Sequence, residues 1–414
     1  MTRPARLLIV AGEASGDLYG GLLMRALREV ATQAAGAAPP AGSPPEAGAA
    51  PAGASPIVFT GIGGDAMRAA GLETLADAAI LGVTGIVEVA ARFGAIWDAY
   101  RSASRVLQDP ATRPDLALLI DYPDFNLRLA ARARAAGVPV LYFVSPQVWA
   151  WRRGRVRRMA GLVDRMLVIL PFEEAIYRAA GVPVTFIGHP LLDLVRTHRN
   201  RRQERARLGL DPDRPVVALL PGSRRNEVAA HLPPMLEAVA ILRSEFRDLQ
   251  SLLTVAPTRR EEEVRAAARR AAPGQPLPVL VREDRYDAVA AADAAVVASG
   301  TATLETALLG TPMLIVYRMN PITYALARRL TDLPHVGMPN LIAGRRIVPE
   351  LIQDDCAGPP IARALRDLLT DPARAEAMRA GLQAVRARLG EPGAIGRAAR
   401  IAWDMIAAAR GGAR

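Results

Sequence analysis

The sequence has 414 residues, a length that predicts two or three domains, and its 51% hydrophobic and 5% aromatic content is typical of an alanine-rich α/β protein. The net charge of +11 comes from arginine alone, since the chain contains no lysine, and it indicates an anionic partner: a nucleotide, a phospholipid surface or a nucleic acid. The single cysteine, Cys356, excludes an intrachain disulfide and a cysteine-based zinc site, and the four histidines have no metal-ligand spacing.

The apolar runs of the sequence are too short to cross a membrane. The run at residues 7–12 is cut short by Glu13 and Asp17, unlike a secretory signal. The longest run, residues 78–87, ends at Glu88, well short of the roughly 20 residues that a spanning helix needs. We therefore expect a cytoplasmic protein that is soluble or rests on a membrane surface.

Six apolar runs predict the parallel strands of a first sheet, at residues 6–10, 57–60, 115–120, 140–144, 165–169 and 184–187. Asp17 is a candidate helix cap after the first strand. Residues 34–56 are almost entirely Ala, Gly, Pro and Ser, which predicts a disordered surface insertion. The turn GIGGD at residues 61–65 is only a weak dinucleotide-binding pattern, because Ala66 takes the place of the third glycine.

Residues 80–107 predict a helix whose apolar side chains cover more than one face. One interpretation is an interfacial segment that touches lipid, with Arg92, Arg101 and Arg105 beside the apolar residues. The other is a core helix of the first domain, which the pattern alone favours because buried helices are far commoner.

Asp121 stands at the carboxyl end of the predicted strand 115–120. Ligands of parallel sheets bind beyond this end, so Asp121 is a candidate general base. The alternative is that Asp121 or Asp124 only caps the helix predicted to begin near Asn126. Asp124 fits the cap better, which leaves Asp121 for chemistry.

The segment SPQVWAWRRGRVRRM, residues 145–159, combines Trp149 and Trp151 with five arginines, the first of which is Arg152. Amphipathic indoles beside dense positive charge can bind a phosphate-bearing lipid, a membrane surface or a nucleic acid. The same residues can instead form a solvated helix face over a partly buried pair of indoles.

A second parallel sheet is predicted after a charged linker at residues 196–207, with strands at residues 216–220, 251–255, 279–281, 294–298 and 313–316. The turn Gly222-Ser223-Arg224 follows the first of these strands. Gly222 lets the backbone approach a ligand, and the planar guanidinium of Arg224 suits a phosphate. Taken alone, the turn is better interpreted as an ordinary strand-to-helix connection in which the glycine serves the geometry only.

A second small-residue turn, Ser299-Gly300-Thr301, leads into a helix predicted at about residues 303–309. Free N–H groups and the helix dipole favour an anion there. Glu305, one turn into the helix, is placed to accept hydrogen bonds from sugar hydroxyls, and Asn340 could place its amide on the nucleotide or the sugar. Two such turns on adjacent strands predict a crevice for a nucleotide diphosphate.

Six motifs in order, AGEASGD, SPQVWAWR, FIGHPLLD, LLPGSR, ASGTATLE and PNLIAGR, span residues 11–345. Together they resemble the lipid-A-disaccharide synthase family over nearly the whole chain. The resemblance implies the α/β GT-B architecture, two Rossmann-like doubly wound parallel-sheet domains facing a central cleft. Residues 1–190 would form the N-terminal acceptor and lipid domain, residues 191–385 the UDP-sugar domain, and residues 386–414 a helix packing across both.

The resemblance further implies an inverting glycosyltransferase that joins UDP-2,3-diacylglucosamine to 2,3-diacylglucosamine 1-phosphate, forming the β-1,6 disaccharide and UDP. Asp121 would be the catalytic base. The UDP contacts would be Gly222, Ser223, Arg224, Ser299, Gly300, Thr301, Glu305 and Asn340. The acceptor or its lipid would contact Glu13, Ser15, Trp149, Trp151 and Arg152.

We also expect no metal, no cofactor and no nucleic acid, peripheral attachment to the cytoplasmic face of the inner membrane, and a homodimer as one oligomeric state. Two features depart from the family pattern: the long insertion at residues 34–56, and Arg225-Asn226 after LLPGSR, where smaller residues are common. Two alternatives stay open. One is another UDP-sugar GT-B enzyme, such as a UDP-N-acetylglucosamine epimerase or a transferase with another lipid acceptor, and the other is a basic membrane or nucleic-acid scaffold.

Overall fold

The computed structural model describes residues 3–34, 57–81, 93–146, 154–330 and 334–411. The chain divides into two compact units, one formed by Met1–Pro190 with Glu391–Arg414 and the other by Leu191–Gly390. Each unit is built on one parallel β-sheet. Apart from Ala34, the predicted disordered insertion lies outside the described residues.

The first unit alternates strands and helices, as expected of a parallel sheet with helical crossovers. Its elements in chain order are β1 (Ala5–Ala11), α1 (Ala14–Ala34), β2 (Ile57–Gly63), α2 (Asp65–Ala69), β3 (Leu72–Asp77), α3 (Phe93–Gln108), β4 (Leu116–Ile120), α4 (Pro123–Ala135), β5 (Val140–Phe143), α5 (Arg155–Ala160), β6 (Arg165–Val168), α6 (Glu173–Ala179), β7 (Val184–Phe186) and, near the end of the chain, α17 (Ala394–Gly411).

The strand order of the first sheet is β3-β2-β1-β4-β5-β6-β7. The strands are continuous apolar runs because helices cover both faces of such a sheet, and all of β4 is buried. Leu8 and Val10 of β1 pack with Ala99 and Ala103 of α3 in the core. The order reverses between β1 and β4, which makes this strand pair the topological switch point of the sheet.

The helix α17 belongs to the first unit although it lies at the far end of the chain. It packs against α1 and β4. The guanidinium of Arg397 donates to the backbone oxygen of Ile187, with Nε at 2.9 Å and Nη2 at 2.7 Å. These contacts tie the C-terminal helix to the end of the first sheet.

The second unit has the same alternation. Its elements are α7 (Leu191–Leu194), α8 (Arg201–Arg207), β8 (Val216–Leu220), α9 (Arg225–Glu245), β9 (Gln250–Thr254), α10 (Glu261–Ala271), β10 (Val279–Val281), α11 (Arg285–Ala290), β11 (Ala294–Ala298), α12 (Thr301–Leu309), β12 (Met313–Tyr317), α13 (Pro321–Leu330), α14 (Met338–Ala343), β13 (Glu350–Ile352), α15 (Gly358–Thr370) and α16 (Pro372–Arg388). The strand order is β10-β9-β8-β11-β12-β13, so the switch point lies between β8 and β11.

The structure corrects several predicted elements. The edge strands β3 and β13 were not predicted, because β3 carries polar side chains and β13 begins with Glu350, so neither is a continuous apolar run. The predicted helix 80–107 is described only from Phe93 onwards, and Ala78–Ile80 is a short 3₁₀ turn; residues 82–92 lie outside the described residues. The helix after Asp121 begins at Pro123, since proline is well suited to a first helical turn. Among the described residues, no helix combines the length and apolar character needed to span a bilayer.

Candidate functional site

The first unit places Asp121 at the switch point of its sheet. Ala11 of β1 pairs with Ile120 of β4, so Glu13 and Asp121 follow closely after two neighbouring strand ends. Open α/β sheets bind their ligands beyond this edge. The sequence assigned Asp121 to catalysis and Glu13 to the acceptor, and the fold brings both to one place.

The backbone at Asp121 has an unusual conformation. The φ angles of Asp121 and Tyr122 are both 47°, and Val144, directly after β5, has a φ of 62°. This left-handed region is costly for residues other than glycine, and most of all for a β-branched valine. Two side chains fix the carbonyl of Asp121: Asn126 Nδ2 donates to it at 2.8 Å, and the Tyr142 hydroxyl donates to it as well. Such strain, held by buried side chains, is common at active sites.

The surroundings of Asp121 favour its neutral form. Burial raises the pKa of the Asp121 carboxyl, the negative charge of Glu13 raises it further, and the backbone of Tyr122 lowers it, so that the pKa is about 7. A carboxyl with a pKa near neutrality is a stronger base than an ordinary aspartate and is still largely ionised above pH 7. These are the properties that a general base requires.

A row of aromatic rings leads from the surface of α3 to the neighbour of Asp121. Ring centroids are 6.5 Å apart between Phe93 and Trp97, 5.5 Å between Trp97 and Tyr100, 5.8 Å between Tyr100 and Phe125, and 6.2 Å between Phe125 and Tyr122. Phe93 and Trp97 are 61% and 46% exposed. A row of core aromatics would be buried along its whole length, so the exposed end of this aromatic row suits an apolar ligand.

A carboxylate of the protein itself occupies the glycine-rich turn of the first unit. The Asp17 carboxylate accepts hydrogen bonds from the backbone N–H groups of Gly64 at 2.6 Å, Ala66 at 2.9 Å and Met67 at 3.1 Å. Asp17 therefore caps α2, and the prediction that it caps the helix following the first strand is wrong, because that helix already begins at Ala14. Asp17 thus takes three backbone N–H groups that a bound phosphate would otherwise need, which the sequence pattern did not predict.

The turn Ser299-Gly300-Thr301 of the second unit has a different character. It follows β11 at the switch point, and α12 begins at Thr301, two residues earlier than predicted. Within the part of the chain that the structure describes, no side chain caps α12 and no acidic residue lies in its first turn. Gly300, with a φ of 148°, and Thr301 are both exposed. The amino end of α12 therefore presents its dipole and N–H groups to an anion.

The turn Gly222-Ser223-Arg224 follows β8, the other strand of the switch point. Glu227 Oε2 accepts from the backbone N–H groups of Ser223 at 2.9 Å and Arg224 at 3.1 Å, and Arg224 Nη1 donates to Glu227 Oε1 at 3.1 Å. Gly222 has a φ of 112°, and a Cβ at this position would lie 2.6 Å from Glu227 Oε2. The turn is thus shaped around an anion, and a carboxylate of its own helix occupies that position.

Glu305 is fixed one turn into α12. The Tyr286 hydroxyl donates to Glu305 Oε1 at 2.8 Å, and Arg285 Nη2 lies 3.9 Å from the same oxygen. Burial and the charge of Glu305 raise the pKa of Tyr286 to about 12, so the hydroxyl stays a donor. The carboxylate therefore has a defined position beside the exposed amino end of α12.

His231 is a structural residue that the sequence reasoning missed. Its Nε2 accepts from the backbone N–H of Arg318 at 2.9 Å, which leaves the proton on Nδ1, 3.1 Å from the Pro221 carbonyl. Burial lowers the pKa of His231 and keeps it neutral. It ties the end of β8 to the end of β12, so it supports the 222–224 turn. The only signal in the sequence was its position one helical turn after Glu227.

The structure contradicts the prediction that Asn340 contacts the nucleotide. Its side chain has 0% exposure. Nδ2 donates to the Val348 carbonyl and Glu350 Oε1, and Oδ1 accepts from the N–H groups of Ile347 and Val348. All four hydrogen-bonding positions of the amide are used to hold the segment that leads into β13, so none remains for a ligand.

The remaining predicted acceptor residues are placed only in part. Ser15 is exposed in the first turn of α1, two residues after Glu13. Trp149, Trp151 and Arg152 lie outside the described residues, as does most of the part of segment 145–159 that precedes α5. Among the described residues, no group of three or more His, Cys, Asp or Glu side chains has the arrangement of a metal site.

Comparison of the sequence with known proteins assigns the chain to a family. The family described as Lipid-A-disaccharide synthetase matches residues 7–394. The chain is 46% identical over 403 residues to the lipid-A-disaccharide synthase of Geobacter sulfurreducens, covering 97% of each chain. It is 42% identical over 406 residues to that of Myxococcus xanthus, covering 98% of this chain and 99% of the relative. The chain belongs to the lipid-A-disaccharide synthase family.

Solved structures share the fold of this lipid-A-disaccharide synthase family member. The UDP-GlcNAc 2-epimerase from Neisseria meningitidis bound to UDP-GlcNAc has a TM-score of 0.62 at 12% identity, with 97% of this chain and 99% of that chain covered. MurG of Acinetobacter baumannii has a TM-score of 0.54 at 15% identity, with 97% and 100% covered. At these identities the likeness concerns the fold alone. It confirms the predicted class of two parallel-sheet α/β units of the GT-B type, and the family makes the chain a glycosyltransferase.

Proposed function

We propose that this chain is a lipid-A-disaccharide synthase that joins UDP-2,3-diacylglucosamine to 2,3-diacylglucosamine 1-phosphate, with inversion at the anomeric carbon and release of UDP. The observation that carries the proposal is the complementary chemistry of the two switch points. The first unit has a carboxyl with a pKa of about 7 on a backbone of positive φ, and the second has the exposed amino end of a helix and a turn that carries an arginine. We assign the acceptor to the first unit and the UDP-sugar to the second.

Asp121 acts as the general base. The acceptor 6-hydroxyl attacks the anomeric carbon of the donor, and its proton passes to the Asp121 carboxylate as the new C–O bond forms. The bond between the anomeric carbon and the β-phosphate oxygen breaks, and its electron pair leaves with UDP. Asn126 and Tyr142 are positioning residues, because they hold the Asp121 carbonyl in place and leave its carboxylate to the substrate.

The second unit stabilises the charge that develops on the leaving diphosphate. The amino end of α12 and the Arg224 guanidinium supply donors and positive charge that need little rearrangement during the reaction. Glu305 accepts hydrogen bonds from hydroxyls beside the phosphates, with its position fixed by Tyr286. Gly222, Ser223, Ser299, Gly300 and Thr301 provide the backbone that surrounds the diphosphate.

Acyl chains of the substrates give the apolar surface of the first unit a function. The exposed Phe93 and Trp97 of the aromatic row offer a path toward Asp121 for an acyl chain. The net charge of +11 supports peripheral binding to an anionic membrane, which we place on the cytoplasmic face of the inner membrane. Glu13, Ser15, Trp149, Trp151 and Arg152 remain our proposed acceptor contacts. We further propose a homodimer, which light scattering tests.

The direct test is incubation of the purified chain with UDP-2,3-diacylglucosamine and 2,3-diacylglucosamine 1-phosphate. We expect UDP and a tetra-acylated disaccharide phosphate, both identified by mass. The Asp121→Asn variant serves as the matched control and should give neither. A second arm supplies water-soluble UDP-N-acetylglucosamine alone, because several structures with this fold are UDP-GlcNAc 2-epimerases. Epimerised UDP-sugar without disaccharide would overturn the proposal.

A further inference from the structure

Glu227 occupies the position that a phosphate would take in the Gly222-Ser223-Arg224 turn. One carboxylate oxygen accepts from two backbone N–H groups of the turn, and the other accepts from the Arg224 guanidinium. These donors are the ones that the proposed function assigns to the diphosphate. We propose that Glu227 is a displaceable internal ligand of the nucleotide site, and that it sets the balance of affinity between the UDP-sugar and free UDP. The inference rests on the proposed function.

The contacts of Glu227 extend beyond those of an ordinary helix cap. A glutamate in the first turn commonly accepts from the N–H of the residue that caps the helix, here Arg224. Glu227 also accepts from Ser223, which lies outside the helix, and it pairs with the side chain of Arg224. Gly222 permits this close approach, since any Cβ there would collide with the Glu227 side chain. The whole turn is therefore closed around one negative charge.

The position of Glu227 also allows exchange with a ligand. Its side chain is 17% exposed and that of Arg224 is 48% exposed, so solvent and a diphosphate can reach both. A diphosphate that binds the turn competes with the carboxylate for the same donors. If the carboxylate stays nearby after displacement, its charge opposes that of the ligand.

This competition acts more strongly on the product than on the donor. In a UDP-sugar both phosphates are esterified, whereas the terminal phosphate of UDP has a second ionisation near pH 6. At pH 8, UDP therefore carries about one more negative charge than the donor. A carboxylate at the phosphate site therefore weakens the binding of UDP more than the binding of the UDP-sugar, and this difference limits product inhibition.

The test uses Glu227→Gln, which keeps the shape and one acceptor oxygen while removing the charge. We expect calorimetry at pH 8 to show UDP binding that is roughly three- to tenfold tighter, the range of one modest polar interaction. The KM of the donor should change less, so UDP becomes a stronger inhibitor relative to the donor. The melting temperature should fall, because the cap is weaker. Glu245→Gln, which removes the same charge from the far end of α9, is the matched control and should leave UDP binding unchanged.

The proposal predicts that Glu227→Gln binds UDP more tightly while it melts at a lower temperature. A purely structural cap would lower the melting temperature without tightening UDP binding. Unchanged or weaker UDP binding in a folded Glu227→Gln chain would overturn the proposal. If that chain does not fold, Glu227→Asp carries the test: its shorter side chain retreats from the amides, and UDP binding should still tighten, though less. Unchanged or weaker binding by Glu227→Asp would then overturn the proposal. Failure of the wild-type chain to bind UDP would instead overturn the proposed function, so the two failures are distinguishable.

Discussion

The glycine turns at residues 61–65 and 299–301 look alike in sequence but differ in what they present. Both lie at the end of a parallel strand and lead into a helix. In the first unit, the Asp17 carboxylate takes three N–H groups at the start of α2. Among the residues that the structure describes in the second unit, no side chain caps α12, and Gly300 and Thr301 are exposed. A glycine turn is therefore a nucleotide site only if the fold does not bring a carboxylate onto it from another element.

The switch points extend this contrast. The first unit collects acidic groups, Glu13 and Asp121, and raises the pKa of Asp121 to about 7. The second collects helix N–H groups and an arginine. One edge suits the acceptance of a proton and the other the stabilisation of an anion, and substitutions on each side can test this division.

Asp121→Asn should have the largest effect, because it removes the proposed proton acceptor. We expect turnover to fall by roughly 10²- to 10⁴-fold, the range of general-base catalysis. UDP binding should be unchanged, since we assign the nucleotide to the second unit. Initial rates and calorimetry with UDP measure the two effects. Wild-type turnover would remove Asp121 from the mechanism.

The same substitution should stabilise the chain at alkaline pH. The folded pKa of Asp121, about 7, lies above the ordinary value of about 3.9, so the native state holds a proton that the unfolded chain releases. The resulting stability is complete below about pH 4 and is lost as pH rises through about 7. Asparagine has no charge to bury. The melting temperature of the variant should therefore rise relative to that of the wild type as the pH increases from 5 to 8. A difference in melting temperature that stays constant over this range would contradict the raised pKa.

Arg224→Ala tests the anion-binding side of the division. Loss of one charge-assisted contact should weaken UDP binding by about 1.5 to 3 kcal/mol, or roughly 10- to 150-fold. Arg247→Ala, an exposed arginine just after α9, is the matched control for the loss of one positive charge. Equal effects of the two substitutions on calorimetric UDP affinity would mean that general charge, rather than the turn, binds the nucleotide.

Asp17→Asn tests the filled turn of the first unit. The uncharged amide can satisfy fewer of the three N–H groups, so the free energy of unfolding should fall by about 1 to 3 kcal/mol. UDP affinity should stay at the wild-type value, because we assign the nucleotide to the second unit. Denaturant titration and calorimetry give the two results. Weaker UDP binding at unchanged stability would reverse the functions assigned to the two turns.

The sequence predicted much of the fold because buried parallel strands are continuous apolar runs. The strands at residues 216–220, 279–281 and 294–298 were predicted with the bounds that the structure has. Asp121 was found by its position after such a run. The edge strands β3 and β13 lack this signal.

Hydrogen bonds between residues far apart in the chain could not be predicted from the sequence. Asp17 reaches Gly64 across 47 residues, and Arg318 reaches His231 across 87. Asn340 shows the same limit: its motif suggested a ligand contact, whereas nearby backbone groups and Glu350 use all of its amide. Local patterns identify the strand ends, and tertiary contacts decide which polar groups there remain available.

Glu13→Gln should have the smallest effect and tests how the first switch point works. The base must be ionised, so kcat/KM should rise with pH through the pKa of Asp121 in the free enzyme. Burial is the larger cause of the raised pKa and Glu13 the smaller, so removal of the Glu13 charge should lower the midpoint but leave it above the ordinary pKa of an aspartate. Profiles of kcat/KM from pH 5.5 to 9 measure the midpoint. If Glu13 also touches the acceptor, its loss lowers the maximal rate but does not by itself move the midpoint. Glu29→Gln, an exposed glutamate on α1, is the matched control. A midpoint that stays in place, or moves to higher pH, would mean that Glu13 does not act on Asp121 through its charge.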